Sequence, residues 1–109
     1  MMTPIESARR DFKEKPASII AWILMASYLY YHRYDSIFED VDFDKMMSYT
    51  LKHYDNLEHK YKSLVTKDDL QAGSLFALPV DKYPMGIVRL AEHYSREYEL
   101  YKNTKGGTI

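Results

Sequence analysis

The chain has 109 residues, enough for one domain with a single modest core. Its formal charge is −1 at pH 7 and it has no cysteine, so the composition excludes disulfides and Cys-ligated zinc and disfavours autonomous nucleic-acid binding. Tyrosine is unusually abundant at 11 residues, and its apolar ring and polar hydroxyl suit half-buried pockets and interfaces.

The first dozen residues predict a short amphipathic helix. Thr3 is the expected N-cap, Pro4 occupies the first helical position and Glu6 completes a capping box. This segment is polar and charged, unlike the apolar centre of a secretory signal peptide. Together with the absence of cysteine, it favours a cytoplasmic location.

A strongly apolar segment without charges predicts a second, central helix from Pro16 to about Tyr34. The segment is apolar on more than one face, as in a helix that is buried in a core, and we expect Trp22 to be a core residue. It is shorter than the roughly 20 apolar residues of a membrane span, and it ends in tyrosines followed by His32 and Arg33. We therefore expect a core helix and no membrane span.

The segment after the expected loop "YDSIFED" has the clearest helical periodicity in the chain. Its spacing predicts a long third helix that ends near Lys62, with Asp40 or Asp42 as its cap. Apolar and aromatic residues recur at steps of four and three and should face the core, namely Phe43, Met47, Thr50, Tyr54, Leu57, Tyr61 and Leu64.

The C-terminal part predicts two further helices. Thr66 and Asp69 form a capping box for a short helix that stops at Ala72-Gly73. A final helix is expected over residues 84–102, followed by a flexible tail over 103–109. Its apolar face consists of Ile87, Leu90, Ala91, Tyr94, Tyr98 and Tyr101.

The predicted architecture is therefore one all-α domain over residues 1–109, with three main helices and short flanking helices. A homodimer is expected if the aromatic face of the last helix finds too little core to cover within one chain.

Known catalytic and metal-binding motifs are missing from the sequence. It contains neither a glycine-rich phosphate loop nor a G-x-S-x-G nucleophile elbow. Asp40, Asp42 and Asp44 imitate the start of a calcium loop, but Lys45 and Leu51 occupy the positions that require Gly and Glu. We expect no self-contained enzyme and no metal site.

Residues 28–45, "YLYYHRYDSIFEDVDFDK", resemble the N-terminal Ia subdomain of bacterial NAD-dependent DNA ligases. That family shows Tyr-x-Tyr-His or Tyr-Arg-Tyr-Tyr, a short loop, then Asp-Ala-Glu-Tyr-Asp and a helix. Here residues 28–31, "YLYY", and residues 40–44, "DVDFD", are similar to these two parts at the same separation. Residues 58–70, "EHKYKSLVTKDDL", resemble the later family pattern E-x-x-x-P-E-L-x-T-P-D-S with extra residues, so the ligase Ia-like region covers residues 17–72.

The resemblance implies a cofactor site without a catalyst. In the ligases this subdomain closes over NAD and holds its nicotinamide mononucleotide half. By resemblance, Tyr30 borders or stacks on the nicotinamide, Tyr31 lies near the same nucleotide, and Asp40 and Asp44 contact the ribose hydroxyls or the carboxamide. Phe43 replaces the usual tyrosine and loses one hydrogen bond, worth about 0.5–1.5 kcal/mol. The adenylation-domain motif Lys-x-Asp-Gly is absent, so ligase activity is not expected of this chain.

Two function classes stay open. The first is a non-catalytic ligase-like module that binds nicotinamide mononucleotide or NAD, or modulates a ligase-type partner. The second is a small helical interaction or inhibitor protein without a nucleotide ligand. The size and the resemblance favour a phage or prophage setting, with a host or phage protein as partner.

The site residues also have purely structural explanations. The tyrosines could pack between helices, and the aspartates could serve only as cap and dipole residues. Convergence of Tyr30, Tyr31, Asp40 and Asp44 on an open cavity would favour the binding class. Coverage of that cavity by the last helix would favour the interaction class.

Overall fold

A computed structural model of the chain describes residues 2–106, with side chains through residue 104. Four 3₁₀ turns accompany the helices, and residues 2–106 contain no strand, so the predicted all-α class is confirmed. There are five α-helices within this range: α1 Pro4–Glu14, α2 Ile19–His32, α3 Asp40–His53, α4 Lys67–Ala72 and α5 Met85–Gly106.

The central element is α2, with α1, α3 and α5 packed around it. Every side chain from Ile19 to Leu29 is buried except that of Ala21, which is half-buried. A helix that is apolar on all sides has to be covered on all sides, which explains why three other helices surround it. A 3₁₀ turn at Pro16–Ser18 leads into α2. The helix ends at His32, slightly before the predicted Tyr34, because Tyr34 adopts a left-handed φ of 53°.

No helix within residues 2–106 is long and apolar enough to cross a membrane.

Trp22 connects several elements at the centre of the core, as predicted for a core residue. Its side chain is only 1% exposed, and its indole Nε1 donates a hydrogen bond of 2.9 Å to Asp11 of α1. Its ring lies 4.6 Å from that of Tyr94 in α5 and 5.8 Å from that of Phe38 in the loop after α2. One side chain on α2 therefore contacts two other helices and the loop before α3.

The predicted length of the third helix is wrong. The helix α3 ends at His53, and a 3₁₀ turn at Tyr54–Asn56 follows, after which Leu57 is extended. Asp and Asn favour turns over helix interiors, and Asp55 and Asn56 lie in this 3₁₀ turn.

The predicted core face of this segment is nevertheless confirmed. Met47, Thr50 and Leu57 are buried, and the other predicted positions of the stripe pack partly buried against the core. A 3₁₀ helix has three residues per turn. The turns at Tyr54–Asn56 and Lys62–Leu64 therefore fit the steps of three residues in the stripe without a continuous helix.

Both predicted capping boxes are present. The Thr3 side chain accepts from the N–H of Glu6, and the Glu6 carboxylate accepts from the N–H of Thr3 at 2.8 Å. Thr66 and Asp69 form the same reciprocal pair at the start of α4. This helix ends at Gly73, whose φ of 73° is the left-handed conformation that favours glycine.

The last helix begins where expected, at Met85 directly after Pro84. Of its predicted apolar face, Ile87 and Ala91 are buried, but Leu90 is 46% exposed, so its assignment to the buried face is wrong. Leu90 lies one position before Ala91, which turns it about 100° away from the contact with α2. The helix continues through Gly106, past the expected start of the tail at residue 103, and residues 107–109 lie outside the described residues.

Replacing Trp22 by alanine should destabilise the fold by about 3–5 kcal/mol, because a large fully buried ring leaves a cavity and one hydrogen bond is lost. Urea unfolding followed by circular dichroism measures this change. As the control, Leu100→Ala removes an apolar side chain that is 56% exposed on α5 and should change the free energy of unfolding by less than about 0.5 kcal/mol. Equal stability losses in the two variants would contradict the assignment of Trp22 as the central contact.

Tyr83 is a buried tyrosine without a partner for its hydroxyl among the described residues. Its ring packs edge-on against Tyr28 at 5.5 Å and His32 at 5.4 Å. Burial raises the pKa of its phenol well above the ordinary value of 10, because the phenolate would lose its hydration. In the unfolded chain the pKa returns to about 10.

Tyr83→Phe should stabilise the protein by about 1 kcal/mol at neutral pH, because it removes a buried hydroxyl that lacks a partner. Above pH 10 the phenol of unfolded wild type ionises before that of the folded state, so wild-type stability should fall further below that of the variant. Urea unfolding at neutral pH and at about pH 11 tests both parts. As the control, Tyr34→Phe removes a hydroxyl from a side chain that is 93% exposed and should change the free energy of unfolding at neutral pH by less than about 0.5 kcal/mol. A constant difference between wild type and Tyr83→Phe at both pH values would contradict the raised pKa.

Candidate functional site

A cavity of about 280 Å³ lies where the end of α2 meets the start of α3. Ser36, Ile37 and Phe38 of the connecting loop complete it, with Gly73 from the end of α4. The cavity is lined by all five side chains that the resemblance singles out, namely Tyr30, Tyr31, Asp40, Phe43 and Asp44. The structure therefore brings every predicted site residue to one place.

The loop between the two helices is held on both sides. Ile37 and Phe38 are buried, and the Phe38 ring packs against Trp22. Asp35 accepts hydrogen bonds from the Ser36 N–H at 2.8 Å and from the Ser95 hydroxyl of α5. These contacts fix the distance between α2 and α3, and with it the width of the cavity.

Aromatic rings form one wall of the cavity. The rings of Tyr30 and Tyr31 meet edge-on at 5.0 Å, and Phe76 lies edge-on to Tyr31 at 6.1 Å. Tyr31 is half-buried, and its hydroxyl shares a hydrogen bond of 2.8 Å with Ser74. Tyr30 is 58% exposed, so its ring borders the mouth of the cavity and is accessible to a ligand.

Two carboxylates of α3 also line the cavity. Asp40 is the first residue of α3, and Asp44 follows one turn later on the same face. Both are exposed, and neither forms an ion pair or a side-chain hydrogen bond with any residue in the described part of the chain. Two acceptors without partners therefore face the same space as the tyrosine rings.

The expected capping role of the aspartates is wrong. The N-cap of α3 is Glu39, whose side chain makes no capping hydrogen bond, and Asp40 already lies inside the first turn. Asp42 turns away from the cavity and pairs with Arg9 of α1 at 3.8 Å. The acids of the first turn can still favour the positive end of the helix dipole.

The sequence reasoning missed six of the eleven lining residues, namely Ala26, Ser27, Ser36, Ile37, Phe38 and Gly73. Ser27 lines the cavity from within α2, is 1% exposed, and has no hydrogen-bond partner for its hydroxyl among the described residues. A single serine inside a long apolar run was an available signal for it. Ser36 and Gly73 come from loops, and their position depends on tertiary packing that periodicity does not report.

The last helix does not cover the cavity. Tyr94 contacts Trp22, Glu92 pairs with Arg33 at 2.5 Å, and no described side chain of α5 lines the cavity. Tyr30, Tyr31, Asp40 and Asp44 all line this cavity, which is the arrangement that favours the binding class over the interaction class.

A second, larger groove of about 520 Å³ lies between α1 and α3. Its lining is mainly apolar and includes Ile5, Phe12 and Met46. Lys13 and Lys45 stand on the two sides of the groove, and neither forms an ion pair with a described residue. Arg9 and Asp42 also line the groove and pair with each other at 3.8 Å, which leaves Lys13 and Lys45 as its cations without an ion pair to a described residue.

Among the side chains that the structure describes, no three His, Asp or Glu residues lie close enough together to hold a metal ion. Asp40, Asp42 and Asp44 lie on a regular helix, so they do not form a calcium loop.

Comparisons of the chain with protein-family models, with curated protein sequences and with solved structures find no match.

Proposed function

We propose that this protein is a non-catalytic module that binds the nicotinamide mononucleotide half of NAD in the cavity between α2 and α3. The proposal rests on the resemblance of residues 17–72 to the ligase Ia subdomain. The observation that carries it is the convergence of Tyr30, Tyr31, Asp40, Phe43 and Asp44 on that one cavity.

The aromatic and acidic lining residues suit the two parts of a nicotinamide nucleoside, the pyridinium ring and the ribose. A flat pyridinium ring carries a positive charge and is attracted to the faces of tyrosine rings, such as that of the exposed Tyr30. Ribose hydroxyls are donors, and a carboxylate without a partner is a strong acceptor for them. Asp40 and Asp44 supply two such carboxylates one helical turn apart.

In this proposal a partner supplies the chemistry. The cavity is lined by neither lysine, histidine nor arginine, so within the described residues it offers no adenylation nucleophile. We propose that the module holds the nicotinamide nucleotide or modulates a ligase-type partner, in keeping with a phage or prophage setting.

Asp40→Asn and Asp44→Asn should each weaken binding of nicotinamide mononucleotide by about tenfold or more, because a hydrogen bond to a charged group is worth about 1.5–3 kcal/mol. Titration of labelled protein followed by NMR measures the affinities. Asp42→Asn is the matched control, because it removes the same charge from the same helical turn outside this cavity. Equal weakening in all three variants would indicate long-range charge alone. A wild-type protein without saturable shifts at millimolar ligand would refute the proposed function.

The second groove favours a second candidate function, the docking of an acidic amphipathic helix from a partner protein. The groove lies between two helices and is open along one side, so it can cover the apolar face of a third helix. Lys13 on α1 and Lys45 on α3 would then meet acidic residues flanking that apolar face. This charge complementarity selects an acidic partner over a basic one.

A synthetic amphipathic peptide with leucines at helical spacing and flanking glutamates tests this candidate by fluorescence anisotropy. Wild type should bind it at least tenfold more tightly than a matched peptide with lysines. Replacing both Lys13 and Lys45 by glutamate should reverse this preference. Lys52→Glu, at an exposed lysine of α3 outside the groove, is the control and should retain it. Similar binding of both peptides by wild type, or reversal by Lys52→Glu alone, would refute the docking candidate.

A further inference from the structure

The cavity between α2 and α3 has a one-sided charge distribution. Asp40 and Asp44 contribute two carboxylates, and no lysine, arginine or histidine is among its lining residues in the described part of the chain. A phosphate inside this cavity would meet two like charges and no compensating cation. Like charges at short range are unfavourable, and more so where rings and helices displace water.

The size of the cavity leads to the same conclusion. Its volume of about 280 Å³ is just below the range of about 300–1,000 Å³ for small-molecule pockets, so it accommodates a head group and not a whole dinucleotide. Only part of the ligand therefore enters the cavity, and it should be the part that the aromatic and acidic lining residues favour.

The rings and acids together favour an organic cation. Tyr30, Tyr31 and Phe43 supply aromatic surface, and the carboxylates stabilise positive charge next to it. Ser27 adds a buried hydroxyl without a described partner at the same cavity. A hydroxyl is compatible with a neutral carboxamide, which can both accept and donate a hydrogen bond.

We propose that the cavity is selective for organic cations, and that it holds the pyridinium carboxamide head of its ligand with the phosphate outside in solvent. This inference rests on the proposed function for the identity of the head group, while the preference for a cation follows from the lining alone. Nicotinamide riboside is then a better minimal ligand than the phosphorylated nucleotide. The cavity also distinguishes the oxidised pyridinium from the uncharged dihydropyridine.

The experiment is an NMR titration with four matched ligands at low salt: nicotinamide riboside, nicotinamide mononucleotide, nicotinic acid riboside and dihydronicotinamide riboside. We expect the riboside to bind at least as tightly as the mononucleotide. The nicotinic acid riboside carries a carboxylate in place of the carboxamide, and the dihydro form lacks the positive charge. Each should bind at least tenfold more weakly than nicotinamide riboside. The double variant Asp40→Asn/Asp44→Asn should lose these preferences, and added salt should reduce them.

The outcomes separate this inference from the proposed function. Tighter binding of the mononucleotide than of the riboside would leave the proposed function standing and overturn the inference. Equal binding of the oxidised and dihydro ribosides would also overturn it. Tetramethylammonium, an organic cation without a nicotinamide group, is titrated in the same way. If it shifts the resonances of Tyr30 and Asp44 while no nicotinamide compound does, the proposed function fails and the preference for cations stands. If none of these compounds binds, both are refuted.

Discussion

The burial of α2 is the constraint on which the rest of the structure depends. Ten of its residues are buried, so it needs neighbours on every side. The helices α1, α3 and α5 satisfy this need, and Trp22 shows how, since it hydrogen-bonds to Asp11 and packs against Tyr94. A buried tryptophan N–H usually has a hydrogen-bond partner, and Asp11 supplies that partner here. The core therefore fixes the position of each surrounding helix.

The open cavity is a consequence of this arrangement. Because α5 packs against α2 through Tyr94 and the Arg33–Glu92 ion pair, it leaves the junction of α2 with α3 uncovered. The loop between these helices is held by the burial of Phe38 and by the bond from Ser95 to Asp35. The junction is thus open to solvent and also fixed in width. Both properties are needed where a ligand is to be held without a large cost in ordering the chain.

Features that depend on residues close together in the sequence could be predicted from it. The capping boxes at Thr3 and Thr66 are set by residues three apart, and they could be read directly. The spacing of apolar residues also predicted which side chains of the third helical segment face the core. The same spacing fits a continuous helix and a helix followed by 3₁₀ turns, so it did not predict that α3 ends at His53. At the cavity, Ser36 and Gly73 arrive by tertiary packing, which no periodicity encodes.

Structural roles account for some of the lining residues better than for others. Tyr31 bonds to Ser74 and thereby ties α2 to the segment after α4, and Asp40 stands at the positive end of α3, so both have a stabilising role without any ligand. Asp44 lies beyond the first turn, where the dipole effect has largely fallen off, and it has no ion pair with a described residue. Tyr30 exposes more than half of its surface at the mouth. In the proposed function a ligand gives Tyr30 and Asp44 a role beyond packing and helix electrostatics, so these two residues discriminate best between a working site and a scaffold.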